Sequence, residues 1–263
     1  MRPTSTRRPL KLVVFVASLI GLGLFFVALV GFRGIRFKRM RLKAFAAWSR
    51  WVLRIFGIHI SDNLFNKTEH DGARVIVANH VSYLDIPVLA SLGPTVFLAK
   101  KEVASWPLMG WLGRCLGMIY VDRSNLRSRA QAIRDIQKQI GSGINVVVFP
   151  EGTTSASGPI RGQVPYFAGA FRVARDEAVP VEIFYLEYEP LEKCSWLGDA
   201  SFVEHLWGFL ALERVRVKVR REWLTKIENR GAQREAYLWT RQWFVEGGHG
   251  FMSVMKKGAW SLF

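Results

Sequence analysis

The chain has 263 residues, half of them hydrophobic, which suffices for the core of one large domain or two small ones and excludes a disordered chain. Its 37 Lys and Arg against 21 Asp and Glu leave a net charge of +16, which calls for an anionic partner: nucleic acid, a membrane surface or an anionic substrate. The two cysteines, Cys115 and Cys194, stand far apart without a Cys-x-x-Cys pattern, which argues against a disulfide scaffold or a zinc site.

The positive charge is unevenly spread: residues 1–61 hold 12 Lys or Arg and no carboxylate, the first being Asp62. From Leu12 to Phe32 run 21 residues without a charge, enough to cross a bilayer core as a helix. The run is too long for a signal-peptide core and lacks an Ala-x-Ala cleavage site, so it reads as an uncleaved anchor. Six basic residues follow it against four before it, which places the C-terminal side in the cytoplasm.

Over residues 42–57, Leu42, Phe45, Ala46, Trp48, Ser49, Val52, Leu53 and Phe56 keep near-helical spacing, with Lys43, Arg50 and Arg54 between them. Two readings stand. One is an amphipathic helix in the membrane interface, with Trp48 and Trp51 at headgroup depth and the arginines toward anionic lipid; the other is a helix packed on the domain. Because these charges flank a lipid-length apolar segment, a bilayer is the expected partner and nucleic acid is not. The expected division is a membrane anchor over residues 1–61 and a soluble domain over 62–263.

Beyond Asp62, apolar strand candidates recur at Val75–Ala78, Val96–Ala99, Met118–Val121, Ile144–Phe149 and Val181–Tyr188. Helical patterns lie between them at Ile86–Ser91, Trp106–Leu116, Leu126–Ile140 and Tyr166–Asp176. This alternation predicts an α/β fold, a mixed, largely parallel sheet flanked by helices on both faces. Arg214–Arg220 alternates strictly between charged and apolar residues and predicts a strand whose charges form a solvated face or guard a sheet edge. Gln233–Gly247 predicts a helix ended by glycine.

Three strand ends carry the chemistry. After Val75–Ala78 comes Asn79-His80-Val81-Ser82-Tyr83-Leu84-Asp85, which delivers a histidine and a carboxylate to the edge where open α/β sheets place their ligands. His80 can accept a proton near neutral pH and Asp85 can fix its tautomer, provided His80 precedes the helix. The competing reading makes Asp85 a helix cap ahead of Pro87. The second end, Tyr120-Val121-Asp122-Arg123, offers a turn-capping acid and a planar cation for a phosphate, or a plain ion pair between neighbours. The third, Phe149-Pro150-Glu151-Gly152-Thr153-Thr154-Ser155, stops a strand at proline, lets backbone approach closely at Gly152, and supplies a carboxylate and hydroxyls.

Together these blocks, with the later Val179-Pro180-Val181, resemble the lysophospholipid acyltransferase family, which includes the 1-acylglycerol-3-phosphate acyltransferases, over residues 70–190. The resemblance implies a membrane-bound O-acyltransferase that moves a fatty acyl chain from a thioester, acyl-CoA or acyl-ACP (acyl carrier protein), to a lysolipid hydroxyl. It implies His80 as general base and Asp85 as its orienter, with Arg123, Glu151, Gly152 and Thr153 holding the acceptor and no bound cofactor; the five histidines are scattered without metal-ligand spacing, so no metal is expected. The implied location is a bacterial inner membrane, with the catalytic domain on the cytoplasmic side.

Two departures bear on the headgroup. Many relatives acting on lysophosphatidic acid carry Arg and Lys where this chain has Thr154 and Phe167. Arg161 is the candidate to compensate. The first expectation for the acceptor is 1-acylglycerol-3-phosphate. A lyso-ornithine lipid is the second, since Ser82–Asp85 and Ala99–Pro107 resemble relatives that use it. A catalytically silent lipid-binding protein on the same fold is the alternative of another class; a serine hydrolase would need a Gly-x-Ser-x-Gly elbow, which is missing.

Overall fold

The computed structural model describes residues 7–30, 34–60, 72–155, 168–197 and 200–247. In chain order the elements are α1 (Arg7–Val30), α2 (Ile35–Ile55), β1 (Ile58–Ile60), β2 (Val75–Ala78), α3 (Asp85–Ala90), β3 (Thr95–Lys100), α4 (Met109–Leu116), β4 (Ile119–Val121), α5 (Leu126–Gly141), β5 (Asn145–Val148), α6 (Gly169–Asp176), β6 (Val181–Glu189), α7 (Leu191–Cys194), α8 (Phe202–Phe209), β7 (Val215–Leu224) and α9 (Arg230–Val245).

Among the described residues, seven strands form one sheet in the order β1-β7-β6-β2-β5-β3-β4. Neighbours run parallel except β6 and β7, which are antiparallel. This is the mixed, largely parallel sheet that the alternating pattern predicts. Its centre is dry: every residue of β2 is buried, as strands covered on both faces must be. Because β2, β4, β5 and β6 share one direction, their C-terminal ends all open on the same edge, and that edge carries the site.

Several elements differ from the sequence expectation. Trp106 and Pro107 stay outside α4. A 3-10 turn covers Lys101–Ser105 and Leu108 takes a positive φ of 61°, so the helix begins only at Met109. α7 and α8 follow β6 without a predicted counterpart. β1 precedes the expected domain start at residue 62, yet it pairs with β7. That pairing places β7 inside the sheet, so its charges do not guard an edge. They stand outward and cross to β6, where Arg220 meets Glu187 at 3.1 Å and Lys218 pairs with Glu187 and Glu189.

The N-terminal helices pack on the domain. α1 is long and apolar enough to cross a membrane by length and composition. It buries Phe15, Leu19, Leu22 and Phe26 at helical spacing and exposes Leu10, Val13, Val16, Ile20, Leu24 and Val27 on the other side. α2 buries Leu42, Phe45, Ala46, Ser49, Val52 and Leu53, which favours the packed-helix reading for that face.

Trp48 and Arg50 each hold a bond within the fold, Trp48 half-buried and Arg50 exposed. The Trp48 indole donates to Ser18 Oγ at 3.0 Å, and Arg50 donates to the Ser91 carbonyl at 2.7 Å. Lys43, Trp51 and Arg54 do remain exposed.

Other cations of α2 are also taken up by backbone. Arg41 donates to the Cys115 carbonyl at 2.8 Å and Arg39 to the Ser142 carbonyl at 2.9 Å. With Ser91, these carbonyls close the C-termini of α3, α4 and α5, where unpaired C=O groups and the helix dipole attract positive charge.

Candidate active site

β2 ends at Ala78, and Asn79 continues the strand's pairing by side chain. Its amide donates to the Leu186 carbonyl at 2.9 Å and its oxygen accepts the Leu186 N–H at 2.7 Å. The chain then turns, so that His80 lies ahead of α3 while Asp85 is its first residue. The geometric condition on the pair is met: His80 Nδ1 lies 2.7 Å from Asp85 Oδ2. Asp85 is not the helix cap, since Leu84 holds that position without a side-chain bond.

Asp85 is fully buried, and four donors meet its carboxylate. Oδ2 accepts from His80, from the Val81 N–H at 2.8 Å and from the Ser82 N–H at 3.0 Å. Oδ1 accepts the Tyr188 hydroxyl at 2.6 Å. A carboxylate oxygen already receiving two backbone N–H groups acts as acceptor toward the ring, so the imidazole proton sits on Nδ1 and Nε2 keeps its lone pair. Nε2 has no partner among the described residues. The ring stacks on Phe149 at 4.0 Å between centroids and 14° between planes, and the side chain keeps 19% of its surface accessible.

β5, beside β2, supplies the adjoining wall. Phe149-Pro150-Glu151-Gly152 is a tight turn closed by the Gly152 N–H on the Phe149 carbonyl at 3.1 Å. The Ser155 N–H donates to the His80 carbonyl at 2.8 Å, which ties this loop to the histidine. Glu151 is 1% exposed. One of its oxygens accepts the Ser155 hydroxyl at 2.9 Å, and the other has no partner among the described residues. Burial pushes its carboxyl up to about 7, against the Ser155 hydroxyl and the His80 backbone amide, while the Asp85 charge adds to the rise.

Gly152 has φ +76°, a conformation that strains any residue with a Cβ. A Cβ there would collide with the Arg123 guanidinium, which donates to the Gly152 carbonyl. The close approach expected at Gly152 is therefore made, in this state, by Arg123. Arg123 shows no ion pair with its neighbour: Asp122 instead accepts the Ser124 N–H at 3.0 Å and lies 3.6 Å from Lys101.

Sequence reasoning thus located His80, Asp85, Arg123, Glu151 and Gly152 on one edge of the sheet. Thr153 is exposed there and Thr154 half-buried. Arg161 and Phe167 lie outside the described residues. Asn79 heads the first block without a role of its own, and Tyr188 reads only as the end of a strand. The period-2 pattern of β6 puts Tyr188 on the face of Leu186, but its bond to Asp85 crosses the fold and leaves no local signal. Cys194 is buried, which pushes its thiol up to about 12, so it has no nucleophilic character near neutral pH. Among the described residues no three His, Cys, Asp or Glu side chains are grouped to hold a metal ion.

Residues 58–183 match the family model described as Acyltransferase. The chain is 36% identical over 163 residues to the lyso-ornithine lipid O-acyltransferase of Pseudomonas aeruginosa, 60% of this chain and 60% of that protein. It is 30% identical over 156 residues to the 1-acyl-sn-glycerol-3-phosphate acyltransferase of Neisseria gonorrhoeae, 57% of this chain and 60% of that protein. The chain therefore spans about 60% of the length of each of these relatives. The crystal structure of the 1-acyl-sn-glycerophosphate (LPA) acyltransferase PlsC from Thermotoga maritima shares the fold, with a TM-score of 0.65 at 18% identity over 94% of this chain and 96% of that one. Residues 58–183, the stretch that is similar to the acyltransferase family, contain His80, Asp85, Arg123, Glu151 and Gly152.

Proposed function

We propose that this chain is a membrane-associated O-acyltransferase that moves a fatty acyl group from an acyl-CoA or acyl-ACP thioester to the free hydroxyl of a lysolipid. The observation that carries the reading is the His80–Asp85 pair: a half-open imidazole oriented by a buried, four-fold hydrogen-bonded carboxylate, with an unpaired Glu151 oxygen on the adjoining strand end. His80 Nε2 takes the acceptor hydroxyl proton as that oxygen attacks the thioester carbonyl carbon. Asp85 stabilises the imidazolium that forms. Collapse of the tetrahedral intermediate breaks the C–S bond, and the departing thiolate recovers the proton from His80. No covalent acyl-enzyme is needed.

The Gly152 amide is spent on the Phe149 carbonyl and the Ser155 amide on the His80 carbonyl, so the oxyanion is assigned to the Thr153 and Thr154 amides, which have no partner among the described residues. Arg123, Glu151, Gly152 and Thr153 hold the acceptor, and Arg161 stays the sequence candidate for a further cation toward its headgroup. α1 anchors the protein to the bilayer, in a bacterial inner membrane with the catalytic edge on the cytoplasmic side.

For the acceptor, 1-acylglycerol-3-phosphate is the reading that the family supports at large. A lyso-ornithine lipid is favoured by two specific observations: Thr154 brings no cation to the site, and the 36% identical relative is named for that substrate. Turnover of the purified full chain on both acceptors, with each thioester donor, separates them. His80→Ala is expected to lose roughly a hundred- to ten-thousandfold in kcat/KM while its melting temperature and vesicle association stay at wild-type values. Near-normal turnover would overturn the catalytic assignment, and lipid binding without thioester cleavage by the wild type would favour a silent binder.

A further inference from the structure

At the end of the sheet opposite the catalytic edge, the start of α2 meets α4 and the C-terminal half of α5 around an open cleft of about 670 Å³. Lys38, Arg41, Arg114 and Lys138 line it, with Trp111 and Ile35 as apolar wall and Asp135 as the acid among the lining residues. None of the four cations makes an ion pair among the described residues. Lys38 donates to Gln139 Oε1 at 2.5 Å, Arg41 to the Cys115 carbonyl at 2.8 Å, and Arg114 to the Ala104 carbonyl at 2.8 Å. Asp135 accepts the Gln131 amide at 3.0 Å. Three of the four positive groups donate to neutral oxygens, and the cleft sets four cations against a single lining carboxylate, Asp135, with which none of them pairs.

We propose that this cleft binds a phosphate group, carried by the headgroup of an anionic membrane lipid, as a second lipid site remote from the catalytic histidine. The placement supports the lipid source. Trp111 packs 3.5 Å from where a Cβ would stand on Gly23 of α1, and Arg41 reaches the Leu29 carbonyl near the end of α1 at 3.5 Å. The cleft thus adjoins the apolar helix, with an indole beside the cations, the pairing found at headgroup depth. Burial and the neighbouring Arg41 and Lys138 charges push the Lys38 ammonium down to about 8, a cost that a bound anion would remove. The proposal rests on the reading of α1 as membrane-associated.

The test uses the purified full chain with vesicles of phosphatidylcholine alone and of phosphatidylcholine with phosphatidylglycerol. Partition into the neutral vesicles reports α1, and the gain on adding phosphatidylglycerol reports the cleft. Lys38→Met is expected to cut that gain about tenfold or more, and Lys138→Gln, on an exposed side chain of α5, to act in the same direction. Lys43→Gln, on the exposed face of α2, should cost no more than the about fivefold expected of one basic residue near an anionic surface.

Because Lys38 is held against its charge, Lys38→Met should also raise the melting temperature without lipid and abolish the rise caused by phosphatidylglycerol, which a merely structural lysine would not do. Inorganic phosphate reproducing that rise in the wild type but not in Lys38→Met would keep the anion site and assign it to the free ion. An unchanged phosphatidylglycerol gain in both Lys38→Met and Lys138→Gln would overturn the cleft. Failure to bind neutral vesicles would overturn the reading of α1 instead.

Discussion

Asp85 depends on Tyr188 as much as on its own place in the chain. The Tyr188 hydroxyl is the donor to Oδ1, and both side chains are buried. Tyr188→Phe removes that donor and leaves Oδ1 unpaired away from water, at a cost of about 1–3 kcal/mol. It is expected to lower the melting temperature and reduce kcat with KM near the wild-type value, as checked by thermal unfolding and steady-state kinetics on one preparation.

Glu151 gives a pH signature. In the folded chain its carboxyl holds a proton up to about 7, whereas an unperturbed glutamate loses it near 4.5. Between those values the folded state binds the additional proton, so stability falls as pH rises through the window, on the order of 3 kcal/mol in all. Glu151→Gln should flatten that part of the melting-temperature profile and melt above the wild type at pH 8, while turnover falls. A parallel, equally sloped profile would show that Glu151 is charged at neutral pH.

At the scale of elements, α2 shows how a basic amphipathic pattern can serve two surfaces. Arg39, Arg41 and Arg50 donate to carbonyls at helix C-termini, while Lys43 and Arg54 point outward. Arg50→Ala should therefore destabilise the fold by about 1 kcal/mol, and Arg54→Ala by less than about 0.5 kcal/mol, in denaturant unfolding of the two variants.

The long periodic stretches were legible in advance, since β2, β5, β6 and α5 follow from apolar runs and helical spacing. β1 was not, because three residues carry too little period. The interior place of β7 was not either, because alternating charge describes the faces of a strand and not its neighbours. His80 and Asp85 were visible as a spacing, but their meeting required the helix to begin at Asp85, after the turn that holds His80.

For the molecule as a whole, α1 is the element on which the proposed membrane association rests. Its inner stripe is committed to α2, α4 and the domain, and its outer stripe is apolar and exposed. Replacing Val16, Ile20 and Leu24 together by serine is expected to cut vesicle association at least about a hundredfold, since burying each such side chain contributes about 1.5–3 kcal/mol. The melting temperature should hold, because none of the three packs inward; flotation and thermal unfolding check both halves.

By itself the sequence determined the segregation of charge, the apolar helix, the order of strands and helices, and the residue types at three strand ends. These are local properties of spacing and composition. The tertiary structure alone decided that the strand ends share an edge and that Tyr188 completes the Asp85 site. It also decided that Arg123 closes on Gly152 and that four cations surround a cleft at the opposite end. Each of these depends on contacts between residues far apart in the chain, set by strand order and helix packing, which no local pattern encodes.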